Sequence, residues 1–144
     1  MEKILLIMQL VATLSLTGII WVIQFVQYPF FSYVEKGNFP KYHAAYTFWV
    51  TTIVAPLMIL ELLTTIIFLS VPPENIDYNL LLLNSALTAV VWLSTFFIQV
   101  PLHKRLAAGF DANVHNSLVN SNWIRTIVWT LRSVLVLFFT WKSI

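Results

Sequence analysis

Long apolar runs alternate with short polar breaks along this chain. Four runs, over residues about 4–34, 42–71, 79–106 and 113–141, carry few charges. Each exceeds the roughly 20 residues that a helix needs to cross a bilayer core. Backbone N–H and C=O groups in lipid must be satisfied internally, so the runs predict helices rather than open strands. Pro72 and Pro73 end the second run, and Glu74 and Asp77 make the following turn acidic. Pro29 and Pro101 lie near the ends of the first and third runs and predict a bend in each, and Pro56 predicts a kink within the second. The first run is too long for a signal-peptide core and no small-x-small cleavage site follows it, so it is expected to be an uncleaved span.

A polar signature occurs twice, 72 positions apart: Phe25, Gln27, Pro29, Gly37 and His43, then Phe97, Gln99, Pro101, Gly109 and His115. Every spacing is kept, where chance would give about one identity in so short an alignment. The expected architecture is therefore all-α, an integral membrane four-helix bundle built from two repeated helical hairpins. Residues 1–144 would form a single transmembrane domain with halves near 1–72 and 73–144. A two-span repeat keeps its orientation, which relates the halves by an axis along the membrane normal.

Composition agrees with this pattern. With 59% hydrophobic and 10% charged residues, a soluble domain of 144 residues would leave too much apolar surface in water. The net charge of +2 and the absence of a Lys/Arg stripe argue against nucleic acid as a partner. The lipid bilayer is the expected partner, with a homo-oligomer or a larger membrane complex as further options. No cysteine is present, which excludes disulfides, thiolate metal sites and a Cys nucleophile. Lys36, Lys41, Lys104 and Arg105 flank the two signature-containing loops, against Lys3 and Lys142 on the opposite side. The positive-inside rule then puts those loops in the cytoplasm, and a bacterial inner membrane is the expected location.

Ionisable residues inside a span usually face the bundle interior. Glu61 lies 18 residues after His43, close to five helical turns, so the two are expected on one face. His115, Asn122, Arg125, Thr126, Trp129 and Arg132 recur at spacings of three, four and seven and make one polar stripe on the fourth helix. The repeat alignment sets Glu61 level with Ser133, which predicts a buried Glu61–Arg132 ion pair. Arg125 is left as a surplus cation, suited to an anionic or polar substrate. His43, His115, Glu61 and Arg125 are the candidate catalytic residues. Asn122, Trp129, Arg132, Gln27 and Gln99 are the candidate substrate-binding ones.

His43, His103 and His115 are the only histidines, all at one membrane face, and His43 and His115 are equivalent in the repeat. Imidazole ligates transition metals and haem, so the three form a candidate metal set. No HxxxH or ExxH spacing reinforces it. Each feature also has a purely structural reading. The ion pair can lock register, Gln24, Gln27, Gln99 and Asn84 can bond between helices, the histidines can cap, and the tryptophans can anchor spans. Trp123 and Trp129 can instead line a pocket for a flat lipophilic molecule.

The segment Gln99-Val100-Pro101-Leu102-His103-Lys104-Arg105-Leu106, with Asn122-Trp123-Ile124-Arg125-Thr126, resembles a family of small bacterial four-helix membrane proteins of unknown function that includes anthrone-oxygenase-like proteins. His103 replaces the Asn of that family's Pro-Leu-Asn segment. The resemblance implies four helices and an oxygenase-like activity on aromatic polyketide-type substrates, with no cofactor implied by it. Three functions are open at this level. The first is a redox or oxygenase-type membrane protein acting on a lipophilic molecule. The second is a small transporter or binding protein using Glu61, Arg125 and Arg132. The third is a subunit of a larger membrane complex.

Overall fold

The computed structural model describes residues 2–143, which fold into four long helices: α1 (Glu2–Tyr33), α2 (Phe39–Ser70), α3 (Tyr78–Leu106) and α4 (Ala112–Ser143). All four are long and apolar enough to cross a membrane, which is the arrangement of a multi-pass membrane protein. Their limits fall within a few residues of the hydropathy breaks. Each helix packs on its neighbours in chain order and α1 closes the ring against α4, so α1 faces α3, and α2 faces α4, across the interior.

The bundle is polar inside and apolar outside. Among the described residues, buried polar side chains number 19 against 20 buried apolar ones, while 35 large apolar side chains are exposed. Water would penalise such a surface and lipid would not, so the distribution itself argues for a bilayer as solvent. Thr17 joins α1 to α4 by bonding both the Trp129 carbonyl (3.1 Å) and Ser133 Oγ (2.7 Å). Apolar clusters close the structure on either side of its polar layers, one around Phe31, Phe39, Leu106 and Leu118, the other around Leu6, Phe68, Leu81 and Phe139.

The prolines act as their chemistry dictates. A proline removes one N–H and crowds the carbonyl four residues back. Ahead of Pro29, α1 widens into one π-helical turn (Ile23–Gln27), in which the Tyr28 N–H reaches the Ile23 carbonyl. Ahead of Pro101, α3 does the same over Thr95–Gln99. Such turns shift the helix face that meets the core. Pro56 sits inside α2 without ending it.

The turns between helices are short. Asp111 Oδ1 accepts from the backbone N–H groups of Asn113 (2.8 Å) and Val114 (3.0 Å), and Asp77 caps α3 in the same way through Asn79. Asp111→Ala should lower stability by about 1 kcal/mol in an unfolding titration, the usual cost of losing an N-cap. Gly109 precedes this cap at φ 149°, a conformation that an L side chain rarely adopts.

Candidate functional site

Two polar layers fill the interior. The layer nearer the 71–77 turn centres on Glu61 and draws on all four helices. Its Oε1 accepts from Thr13 Oγ1 (2.7 Å), and its Oε2 accepts from Trp129 Nε1 (3.1 Å). Arg132 Nη1 lies 2.6 Å from Glu61 Oε2. That contact is an ion pair whose N–H is not aligned on the oxygen. Arg132 also donates from Nε to Asn84 Oδ1 (3.1 Å) and from Nη2 to Thr65 Oγ1 (3.4 Å). Both charges are sealed from the surroundings, and the layer is electrically neutral. The ion pair expected from the repeat alignment is present.

The second layer lies toward the 34–38 and 107–111 turns and has a different balance. Arg125 donates from Nε and Nη2 to Asn122 Oδ1 (3.0 and 2.5 Å). Nη2 also reaches Tyr28 Oη (3.1 Å) and Gln99 Oε1 (3.4 Å). Asn122 is itself held by Gln24 Oε1 (2.8 Å). All of these partners are neutral. Glu61–Arg132 is the only ion pair among the described residues, so Arg125 is buried with no carboxylate beside it.

From Tyr28 the network continues through imidazoles. Tyr28 Oη lies 2.9 Å from His103 Nε2, and His103 Nδ1 lies 3.0 Å from His43 Nε2. Guanidinium can only donate, so Tyr28 accepts from Arg125; its own hydrogen is assigned to His103 Nε2, the one acceptor bonded to it. His103 then carries its hydrogen on Nδ1 and gives it to His43 Nε2. Neutral His43 is left with its hydrogen on Nδ1, a buried atom with no protein partner. These tautomers are assigned from the donor and acceptor inventory.

A cavity of about 1200 Å³ opens between α2 and α3. Tyr28, His43, His103 and Arg125 form its polar end, and Trp129 reaches it from α4. Most of the remaining wall is aliphatic or aromatic, including Met58, Trp92 and Phe96. Besides His43 Nδ1, two more buried polar atoms on its wall lack partners, Tyr46 Oη and Trp92 Nε1. Buried polar atoms in proteins are nearly always satisfied, so three orphans on one wall mark a place where something else supplies partners. Phe48 and Phe96, both exposed, stand at the rim between the helices, where lipid would be.

The candidate residues separate accordingly. His43, His103, Gln99, Arg125 and Trp129 line the cavity. Glu61, Asn122 and Arg132 do not: Asn122 orients Arg125, and Glu61 and Arg132 belong to the neutral layer. Gln27 does not line this cavity either. It is partly exposed, on an outer groove with Gly18 and Val50, while Gln24, three residues earlier, is buried. In α3 Gln99 is buried and Phe96 is exposed. Trp123 packs on Trp21 and Phe25 at the outer surface, away from the cavity.

The three histidines do not form one cluster. Among the described residues no group of three His, Asp or Glu side chains is placed to hold a metal ion. His43 and His103 pair with each other, while His115 Nε2 bonds the Tyr28 carbonyl (2.7 Å). That carbonyl also accepts from the Phe31 backbone N–H near the end of α1. Phe31 packs against both His43 and His115, which keeps the two repeat-equivalent histidines on separate partners.

Tyr28, Tyr46 and Trp92 escaped the sequence reading as site residues. Tyr28 had one pointer, its position four residues after Gln24 on the same helical face. No known protein family, curated protein or solved structure matches this chain.

Proposed function

We propose that this chain is a membrane protein that admits a lipophilic molecule sideways from the bilayer and works on its polar group inside the bundle. The reading rests on one observation: a laterally open, mostly apolar cavity whose inner end holds Arg125, Tyr28, His103 and the unpartnered Nδ1 of His43. The two imidazoles and the phenol supply acid–base chemistry from the chain's own side chains. The resemblance of residues 99–106 and 122–126 to the anthrone-oxygenase-like group supports a flat, aromatic molecule as the one admitted. The π-helical turns at positions 72 apart support descent from a duplicated hairpin. The cations beside the 34–38 and 107–111 turns support a cytoplasmic placement of that end. The Glu61–Arg132 layer, sealed and neutral, lends nothing to a transport reading.

Binding of pyrenebutanol to the protein in phosphatidylcholine nanodiscs tests the proposal. Saturable energy transfer from Trp92 and Trp129 to pyrene, at about one probe per chain, is the expected result. Trp92→Phe should reduce the transfer. Uptake no greater than that of empty discs would remove the reading.

A further inference from the structure

We infer that the polar group admitted to this cavity is an acid bound as its anion, on a lipophilic carboxylic acid or an acidic phenol. The inference rests on the reading above and gives its ligand a chemical class.

Arg125 and Arg132 make an internal comparison. They lie seven residues apart on one face of α4, and both are buried. The chain supplies a carboxylate to Arg132, through Glu61. It supplies Arg125 only with amide oxygens and a phenol. Arg125 is 13 residues into α4, or about 20 Å from its start. That depth lies inside the hydrocarbon layer of a bilayer centred on the helices. A cation there without a counter-charge is costly, and a bound anion removes that cost.

The unpartnered atoms on the wall point the same way. Trp92 Nε1 can only donate. His43 Nδ1 carries the hydrogen in the assigned chain of bonds, and Tyr46 Oη has a free hydroxyl hydrogen to offer. His43 is only 2% exposed, so this donor cannot be satisfied by bulk water. Lys104 adds a second cation at the margin, and no Asp or Glu lines the cavity. A wall with positive charge and no acid, backed by buried polar atoms that have no protein partner, is complementary to oxygen acceptors carrying negative charge. The aromatic lining fits the apolar body attached to them.

Matched probes test this. Pyrenebutyrate and pyrenebutanol share the ring and chain and differ in the terminal group. After correction for partition into empty phosphatidylcholine nanodiscs, the protein should bind the carboxylate roughly 10- to 100-fold more tightly, the range of a charge-assisted hydrogen bond. Arg125→Gln should erase that preference, and Arg125→Lys should keep part of it. If Arg125→Gln does not fold, Trp92→Phe, which keeps an aromatic ring and loses only the donor, should still weaken the carboxylate several-fold. Equal affinity for the two probes, or a preference that survives Arg125→Gln, would overturn the inference while leaving the lipophile site standing. Failure of both probes to saturate would remove the site reading itself. Displacement of pyrenebutyrate by oleate would assign a fatty acid as the source of the anion, and displacement by a hydroxyanthraquinone would assign a phenol. Either displacement supports the anion.

Discussion

Glu61→Gln should destabilise the bundle by about 3–5 kcal/mol, the range found when one partner of a buried ion pair is removed. The magnitude follows from what the substitution strands. Arg132 is sealed in the interior, and its other bonds go to the neutral acceptors of Asn84 and Thr65. Without the Glu61 charge, a guanidinium stays buried with nothing to balance it. An ordinary interhelical hydrogen bond in a membrane protein contributes far less, about 0.6 kcal/mol on average. Unfolding in mixed micelles by increasing dodecyl sulfate, followed by tryptophan emission, measures the difference. The double variant Glu61→Gln with Arg132→Gln should lose clearly less than the sum of the two single losses, because two amides can bond across the same gap. Simple additivity would mean that the two residues do not act as a pair.

Ala55→Trp should abolish probe binding with little change in stability. Ala55 lies on α2, partly buried, on the wall of the cavity between α2 and α3. An indole added there enters empty space rather than a packed core, so the overpacking penalty that usually follows small-to-large changes is avoided. Occupying the opening should weaken pyrenebutanol by at least about tenfold, or 1.4 kcal/mol. The unfolding midpoint should stay close to that of the parent chain. Unchanged binding in a folded Ala55→Trp protein would place the ligand elsewhere. This substitution and Glu61→Gln thus separate the two polar layers: one change removes binding and spares the fold, and the other does the reverse.

The two layers were legible to different degrees. The Glu61–Arg132 pair could be read from positions alone, because a carboxylate and a guanidinium at one depth have few other partners in lipid. The polar stripe of α4 was equally legible, since helical periodicity assigns a face without knowledge of neighbours. The histidines were not. Their equivalence in the repeat suggested a shared ligand, but His115 bonds a backbone carbonyl and His103, which has no counterpart in the repeat, takes the place beside His43. Side chains that can either donate or accept are assigned by what they meet, and the sequence does not say what they meet. Gln27 and Gln99 show the same limit: they are equivalent in the repeat, yet Gln99 is buried and Gln27 lies on an outer groove.

Number, length and approximate limits of the helices, their membrane character and the inward face of α4 were determined by the sequence itself. Those properties follow from local quantities, namely apolar run length, helical period and the cost of unpaired backbone in lipid. Tertiary structure alone decided that Arg125 is left without a carboxylate, that Tyr28, His103 and His43 form one chain, and that the space beside them opens between α2 and α3. Those are relations among residues up to 97 positions apart. They depend on how α1, α2, α3 and α4 are rotated against one another, and around the same π-helical turn it is Gln24 that is buried in α1 but Gln99 in α3.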